Sequence, residues 1–252
     1  MAEKFGYCSV SLSPLRAEKR DASEMVSQLL FGELVTIKDV QSPWCEVVTY
    51  SDNYPGFVDS KHIRLLSDKE AKRWFDGLSF QKQFIRSLST PWGKQLIYRG
   101  SFVPFGNSTT FNIGEDSFTY LDEHIEFSLN DTVQFALEYL NAPYLWGGKS
   151  PFGIDCSGYT QVVLRFFDIN IPRDASQQVE FGQEIEFEDC QRGDLAFFSN
   201  TSGKVIHVGF LDGEGRIVHA SGCVRIDHFT QHGIKHIITG ELTHSLHSIR
   251  RM

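Results

Sequence analysis

Basic charge is scarce in this chain: 24 lysines and arginines stand against 32 aspartates and glutamates, a formal charge of −8. A polyanion binder clusters Lys and Arg, so nucleic acid is not expected as a partner. Long apolar runs are missing too. No stretch reaches the roughly 18 apolar residues of a transmembrane helix, so no membrane partner is expected. The opening stretch "MAEKFGYCSVSLSPLRAEKR" has no apolar run followed by a small-residue cleavage site. No signal peptide is read there, and a cytoplasmic location is expected. Cysteine is sparse and odd in number: Cys8, Cys45, Cys156, Cys190 and Cys223. Their scatter suits reduced thiols better than a disulfide framework. Low-complexity tracts and clear internal repeats are absent.

What is present is an ordinary globular composition, 41% hydrophobic over 252 residues, enough for two or three small domains. Residues 1–66 read as short strands punctuated by Gly, Pro, Asn and Asp, which suggests a small barrel. Residues 67–123 begin with charge and a partly helical spacing of Trp74, Leu78, Phe84, Ile85 and Leu88. They then turn to strands, and read as a helical linker followed by an abbreviated second barrel-like unit. From residue 124 to 252 the pattern is mixed. "SLNDTVQFALEYLNAP" offers Asn130 or Asp131 as an N-cap, with Leu129, Val133, Ala136, Leu137 and Leu140 forming one apolar stripe. A second helix is marked by Tyr159, Val162, Val163, Phe166 and Phe167, and strands follow. Helices first and antiparallel strands afterwards predict an α+β domain.

Cys156 stands at the start of that second helix, between Asp155 and Ser157. A cysteine attacks as its thiolate, which a free pKa of about 8.5 keeps scarce at neutral pH. A helix N-terminus favours negative charge through unpaired N–H groups and the macrodipole. On position alone, an inert buried cysteine is an equal reading. Histidines shift the balance. "VIHVGFLDGEGRIVHASG" reads as a hairpin turning at Asp212, Gly213, Glu214 and Gly215, with His207 and His219 on its two arms. A loop with an odd residue count puts the two on one face, while a two-residue loop separates them. Val208, Phe210 and Val218 then fill the other face and pack against the Cys156 helix. Such an arrangement unites a nucleophile, a base and a group orienting the base. Zinc held by Cys156, His207 and His219 competes, but no His-Glu-x-x-His or Cys-x-x-Cys spacing supports it. Five of the nine histidines, His228, His232, His236, His244 and His247, form a polar carboxy-terminal region without an assigned role.

"APYLWGGKSPFGIDCSGYTQVV", "IPRDASQQ", "QRGDLAFF" and "HVGFLDGEGRIVHASG" resemble, in order, the motifs of the NlpC family of papain-like cell-wall cysteine peptidases. The resemblance spans roughly residues 128–240. Residues 1–66, with "LR" near the start and "PGFV" near the end, resemble a bacterial SH3-like domain. Together they are similar to the gamma-D-glutamyl-L-diamino-acid endopeptidases that recycle peptidoglycan peptides. The resemblance implies a papain-like fold, with Cys156 as nucleophile, His207 as general base and His219 as the residue orienting it. It also implies a substrate groove lined by Tyr144, Asp155, Ser157, Asp174 and Ser176. Glu24 and Tyr54 are the candidates for recognising the free amine of a muropeptide substrate. No metal or organic cofactor is expected. Asp155 and Asp174 also read as plain helix caps. A non-catalytic wall-binding protein, and a papain-like amidase or acyltransferase on another substrate, are the alternatives.

Overall fold

The computed structural model describes residues 4–125 and 131–252. Leu129 and Asn130, which the sequence placed on a helix stripe and at its cap, lie outside the described residues. The chain divides into two compact units, Met1–Phe127 and Ser128–Met252.

The first unit opens with β1 (Lys4–Cys8), β2 (Leu12–Arg16), β3 (Met25–Leu30) and β4 (Leu34–Gln41). It continues with β5 (Trp44–Thr49), β6 (Pro55–Asp59) and β7 (Ile63–Leu66). These seven strands form one antiparallel sheet in the order β3-β2-β6-β5-β4-β1-β7. Alternation decides the faces: Cys45 and Val47 of β5 join Leu15, Leu29, Val35 and Val58 in the core, while Glu46 between them is exposed. Helix α1 (Asp68–Asp76) follows, started by a Ser67–Glu70 capping box. Of the five apolar residues with partly helical spacing, only Trp74 lies on it. Leu78 opens β8 (Leu78–Phe80), and Ile85 and Leu88 belong to β9 (Ile85–Thr90). The unit ends with β10 (Gly93–Tyr98), β11 (Phe102–Pro104), β12 (Thr110–Ile113) and β13 (Asp116–Tyr120). Trp74, Leu88, Ile97, Phe102, Phe111 and Phe118 share one core with Tyr7, Leu30, Phe31 and Leu34. Residues after α1 therefore pack onto the first barrel through common apolar surface.

The second unit is α+β. Its first helix, α2 (Thr132–Leu137), is capped by Asp131, whose carboxylate accepts the Val133 N–H at 2.7 Å. A two-rung ribbon, β14 (Lys149–Ser150) with β15 (Gly153–Ile154), leads into α3 (Cys156–Arg165) and the short α4 (Ala175–Gln178). All ten residues of α3 are buried, so the helix is enclosed on every side and shows little of the stripe expected of a surface helix. The strands come next: β16 (Gln183–Ile185), β17 (Leu195–Ser199), β18 (Val205–Leu211) and β19 (Arg216–Ser221). They finish with β20 (Cys223–Thr230), β21 (Gly233–Lys235) and β22 (Leu242–Arg251). The order is β16-β22-β17-β18-β19-β20-β21, and β22 also pairs with β21, so six strands close on themselves. One face buries Phe198, Leu211, Ile217, Phe229, Ile234 and Ile249 together. On the other face Tyr159 of α3 meets Phe210 of β18 edge-on, with centroids 5.7 Å apart. The Tyr159 hydroxyl donates to the Ala136 carbonyl at 2.8 Å, which ties α3 to α2. Among the described residues no helix is long and apolar enough to cross a membrane.

Candidate active site

The β18–β19 hairpin sets the geometry. Its register pairs Gly209 with His219, Phe210 with Val218 and Leu211 with Ile217. The turn from Asp212 to Arg216 therefore has five residues, an odd number. His207 and His219 fall on one face as diagonal neighbours, the face that also carries Leu211 and Ile217. Gly209, directly opposite His219, clears the space between the rings. A Cβ there would sit 2.7 Å from the His219 Cβ. With that space open, His207 Nε2 meets His219 Nδ1 at 2.8 Å, and the rings cross at 82°.

The chain of contacts runs further. His219 Nε2 lies 3.0 Å from Asp227 Oδ2 on β20. Asp227 is fully buried and also accepts the Ile237 N–H at 2.9 Å and pairs with Arg225 at 2.9 Å. Burial opposes its ionisation, but the His219 contact, the Ile237 N–H and the Arg225 guanidinium outweigh burial and hold the carboxyl down at about 2. An ionised Asp227 fixes the proton of His219 on Nε2. Nδ1 of His219 then accepts from His207 Nε2–H, which leaves His207 Nδ1 as the basic nitrogen.

Cys156 occupies the first position of α3, with Asp155 as N-cap accepting the Gly158 N–H at 2.7 Å. The pairing of β18 with β19 stops at Gly209, so Ile206 and Val208 have no ladder partner on β19. Cys156 Sγ lies there, 4.0 Å from the Ile206 carbonyl oxygen, with the Val208 N–H also favouring its thiolate. The thiol thus lies against the strand segment that carries His207. The helix start alone was expected to depress the thiol pKa. Burial instead pushes it up to about 12, with Asp155 adding to the rise and the Val208 N–H and Arg173 opposing it. His207 is pushed well below its ordinary value, first by burial and then by His219 and His244. At rest the thiol and the imidazole are therefore both neutral, suited to proton transfer during attack rather than before it.

Tyr144 is half-buried, and burial together with nearby Cys156 and Asp155 pushes its phenol up, so it remains a hydroxyl donor. Asp155 and Ser157, expected in the groove, are each only 6% exposed. The Asp155 carboxylate accepts from the Gly147 N–H at 2.8 Å and from both terminal guanidinium nitrogens of Arg173, at 3.0 and 2.6 Å. Ser157 Oγ receives the Arg173 guanidinium at 2.9 Å. Asp174 caps α4 at half exposure, and Ser176 is exposed on its first turn. Glu24 is exposed just before β3, and Tyr54 is half-buried beside the barrel core; both belong to the first unit.

Four residues escaped the sequence reading. Asp227 and Arg225 extend the histidine pair. Arg173 and Gln178 brace the helix start, Gln178 donating to the Ser157 and Pro172 carbonyls at 2.9 and 2.8 Å. The parity of "CVRID" after the Gly222 turn was the available signal for Asp227, since Ser221 pairs with Cys223 and Ile217 with Asp227. Among the described residues no group of three or more His, Cys, Asp and Glu is arranged to hold a metal ion.

Two family models match the chain: the NlpC/P60 family over residues 141–243, and the bacterial dipeptidyl-peptidase Sh3 domain over residues 15–63. A dipeptidyl-peptidase 6 of Lysinibacillus sphaericus is 30% identical over 244 residues, covering 83% of this chain and 85% of its own. A gamma-D-glutamyl-L-lysine dipeptidyl-peptidase of Bacillus cereus is 26% identical over 227 residues, covering 79% of this chain and 68% of its own. A crystal structure of an NlpC/P60 family protein from Bacillus cereus superposes with a TM-score of 0.78 at 19% identity. That match covers 98% of this chain and 99% of the other, and speaks to fold alone.

Proposed function

This chain belongs to the NlpC/P60 family of cysteine peptidases, and on that premise we propose that it hydrolyses the bond between gamma-D-glutamate and a diamino acid in short peptidoglycan peptides. One observation carries the chemistry: the Cys156 thiol lies against the backbone that bears His207, and His207 leads through His219 to Asp227. The relatives' activity as gamma-D-glutamyl-L-lysine dipeptidyl-peptidases supports the choice of bond. Cytoplasmic recycling of released wall peptides is the setting this reading implies. A preference for a free N-terminal L-Ala amine, the part foreseen for Glu24 and Tyr54, belongs to the same proposal.

In this reading Sγ attacks the gamma-carbonyl carbon while the thiol proton passes to His207 Nδ1. His219 and ionised Asp227 stabilise the imidazolium that forms. The oxyanion is met by the Cys156 backbone N–H at the open end of α3 and by the Tyr144 hydroxyl. As the C–N bond breaks, His207 returns the proton to the leaving amine. Water, deprotonated by the same imidazole, then releases the acyl group from sulfur. The test incubates L-Ala-gamma-D-Glu-diamino-acid tripeptide with wild type and Cys156→Ala. Wild type is expected to release the diamino acid and the variant none, with no effect of chelator. Release by both, or by neither, overturns the proposal.

A further inference from the structure

His244 on β22 lies one residue past the span matched by the NlpC/P60 family model, which ends at residue 243. Its ring nevertheless stacks on that of His207, with centroids 4.3 Å apart and planes 26° from parallel. We propose that His244 is a positioning residue for the base, its ring fixing the plane of the His207 imidazole; the inference rests on the role given to His207 above.

The need for such a contact follows from the hydrogen bonds. His219 is held at both ring nitrogens, by His207 and by Asp227. His207 is held by hydrogen bond at Nε2, and a single bond along the ring edge leaves rotation about that bond free. The terminal ring torsion of histidine is itself broad and soft. A flat partner on the ring face removes that freedom, and Nδ1 stays aimed at one place. The other rings beside His207 are more distant and lie further from parallel: His219 at 5.1 Å and 82°, and Phe198 at 5.9 Å and 44°.

His244 is well anchored for the task. It pairs with Ile234 across the β21–β22 ladder, and its Nδ1 lies 2.9 Å from the Thr243 hydroxyl. Gly233, at φ +129°, lets β21 approach the His244 carbonyl more closely than any side chain would allow. The groups facing His244 are His207 on β18, His219 on β19, Arg225 and Asp227 on β20, and the uncharged Phe198 on β17. Burial, His219 and Arg225 together push its pKa down to about 4, so a neutral ring covers His207 across the neutral range. A near-parallel stack offers no in-plane hydrogen bond, so shape and cover, rather than proton exchange with His207, are what His244 supplies.

The experiment compares His244→Ala and His244→Phe with wild type and Cys156→Ala. In His244→Ala, kcat is expected to fall about tenfold to a hundredfold with KM within about twofold, since a misaimed base slows chemistry and not binding. Its acid limb is expected to move to higher pH, because His207 loses cover on one face and protonates more easily. His244→Phe keeps a flat ring, and is expected to restore kcat to within about threefold with the acid limb unmoved. If His244→Ala loses its circular dichroism spectrum, His244→Leu replaces it with the same expected fall in kcat, filling volume without a plane. Unchanged kcat and pH profile in the Ala or Leu variant overturns the proposal, as does a Phe variant as slow as Ala. A readout free of substrate separates this from the reaction assignment: iodoacetamide alkylation of Cys156, followed by peptide mass spectrometry across pH. Slower alkylation in His244→Ala supports the positioning role whichever peptide is cleaved. Alkylation equal to wild type at every pH overturns it.

Discussion

Asp227 carries two consequences that can be separated by pH. Its carboxyl sits at about 2 in the fold, against about 3.9 in an unfolded chain. A depressed folded value stabilises above the unfolded pKa, and the benefit fades as pH falls from about 4 through about 2. By linkage the benefit amounts to about 2–3 kcal/mol when fully present. Asp227→Asn is expected to lose that stability in urea titrations at pH 7, with the gap to wild type narrowing at pH 3. The same variant is expected to lower kcat by about tenfold or more, because an amide does not hold His219 in one tautomer. A kcat equal to wild type would remove Asp227 from the reaction. His207 and His219 were legible in the sequence because twelve residues and one turn relate them. Asp227 was signalled only by the parity of "CVRID" about the Gly222 turn, and His244 not at all, since its approach depends on the register of β21 with β22, which periodicity does not reveal.

At the scale of the element, the start of α3 is held by a buried ion pair. Arg173 and Asp155 have side chains 1% and 8% exposed and meet at 2.6 Å. The carboxylate also caps the helix that presents Cys156, so the pair aims the nucleophile as well as holding α3. Arg173→Met leaves that carboxylate buried without its cation and is expected to cost about 3–5 kcal/mol, read from urea titration. Adding Asp155→Asn to Arg173→Met is expected to recover part of the loss, since the uncompensated charge is gone. A single variant as stable as wild type would show the pair to be incidental. The position of α3 and its cap were readable from "IDCSG", where Asp precedes an apolar helical run. The bracing was not, because Arg173 in "IPRDASQQ" looks like any surface arginine until the fold returns it to Asp155, 18 residues away.

For the molecule as a whole, the second unit places three neutral histidines in and around one site. His207, His219 and His244 all have lowered pKa values, burial being the first cause for each. The unfolded chain takes up protons at about 6.5 while the fold does not, so stability is full above that pH and declines as pH falls. Calorimetry is expected to show a lower Tm at pH 5 than at pH 7.5, with His244→Phe narrowing the difference; equal Tm values would count against neutral burial. At this scale the sequence revealed a β-rich first region and an α+β second one. It concealed how residues after α1 would be used, because their apolar residues share a core with Tyr7 and Phe31, far away in sequence. The five-residue turn between β18 and β19 bears on how this family can drift. A side chain changes face with every residue added to a strand. One residue gained or lost between Leu211 and Ile217 would send His219 to the opposite face, unless a bulge absorbed it. Insertions there are thus tolerable in pairs, and the length of an exposed loop comes under the same selection as the histidines it separates.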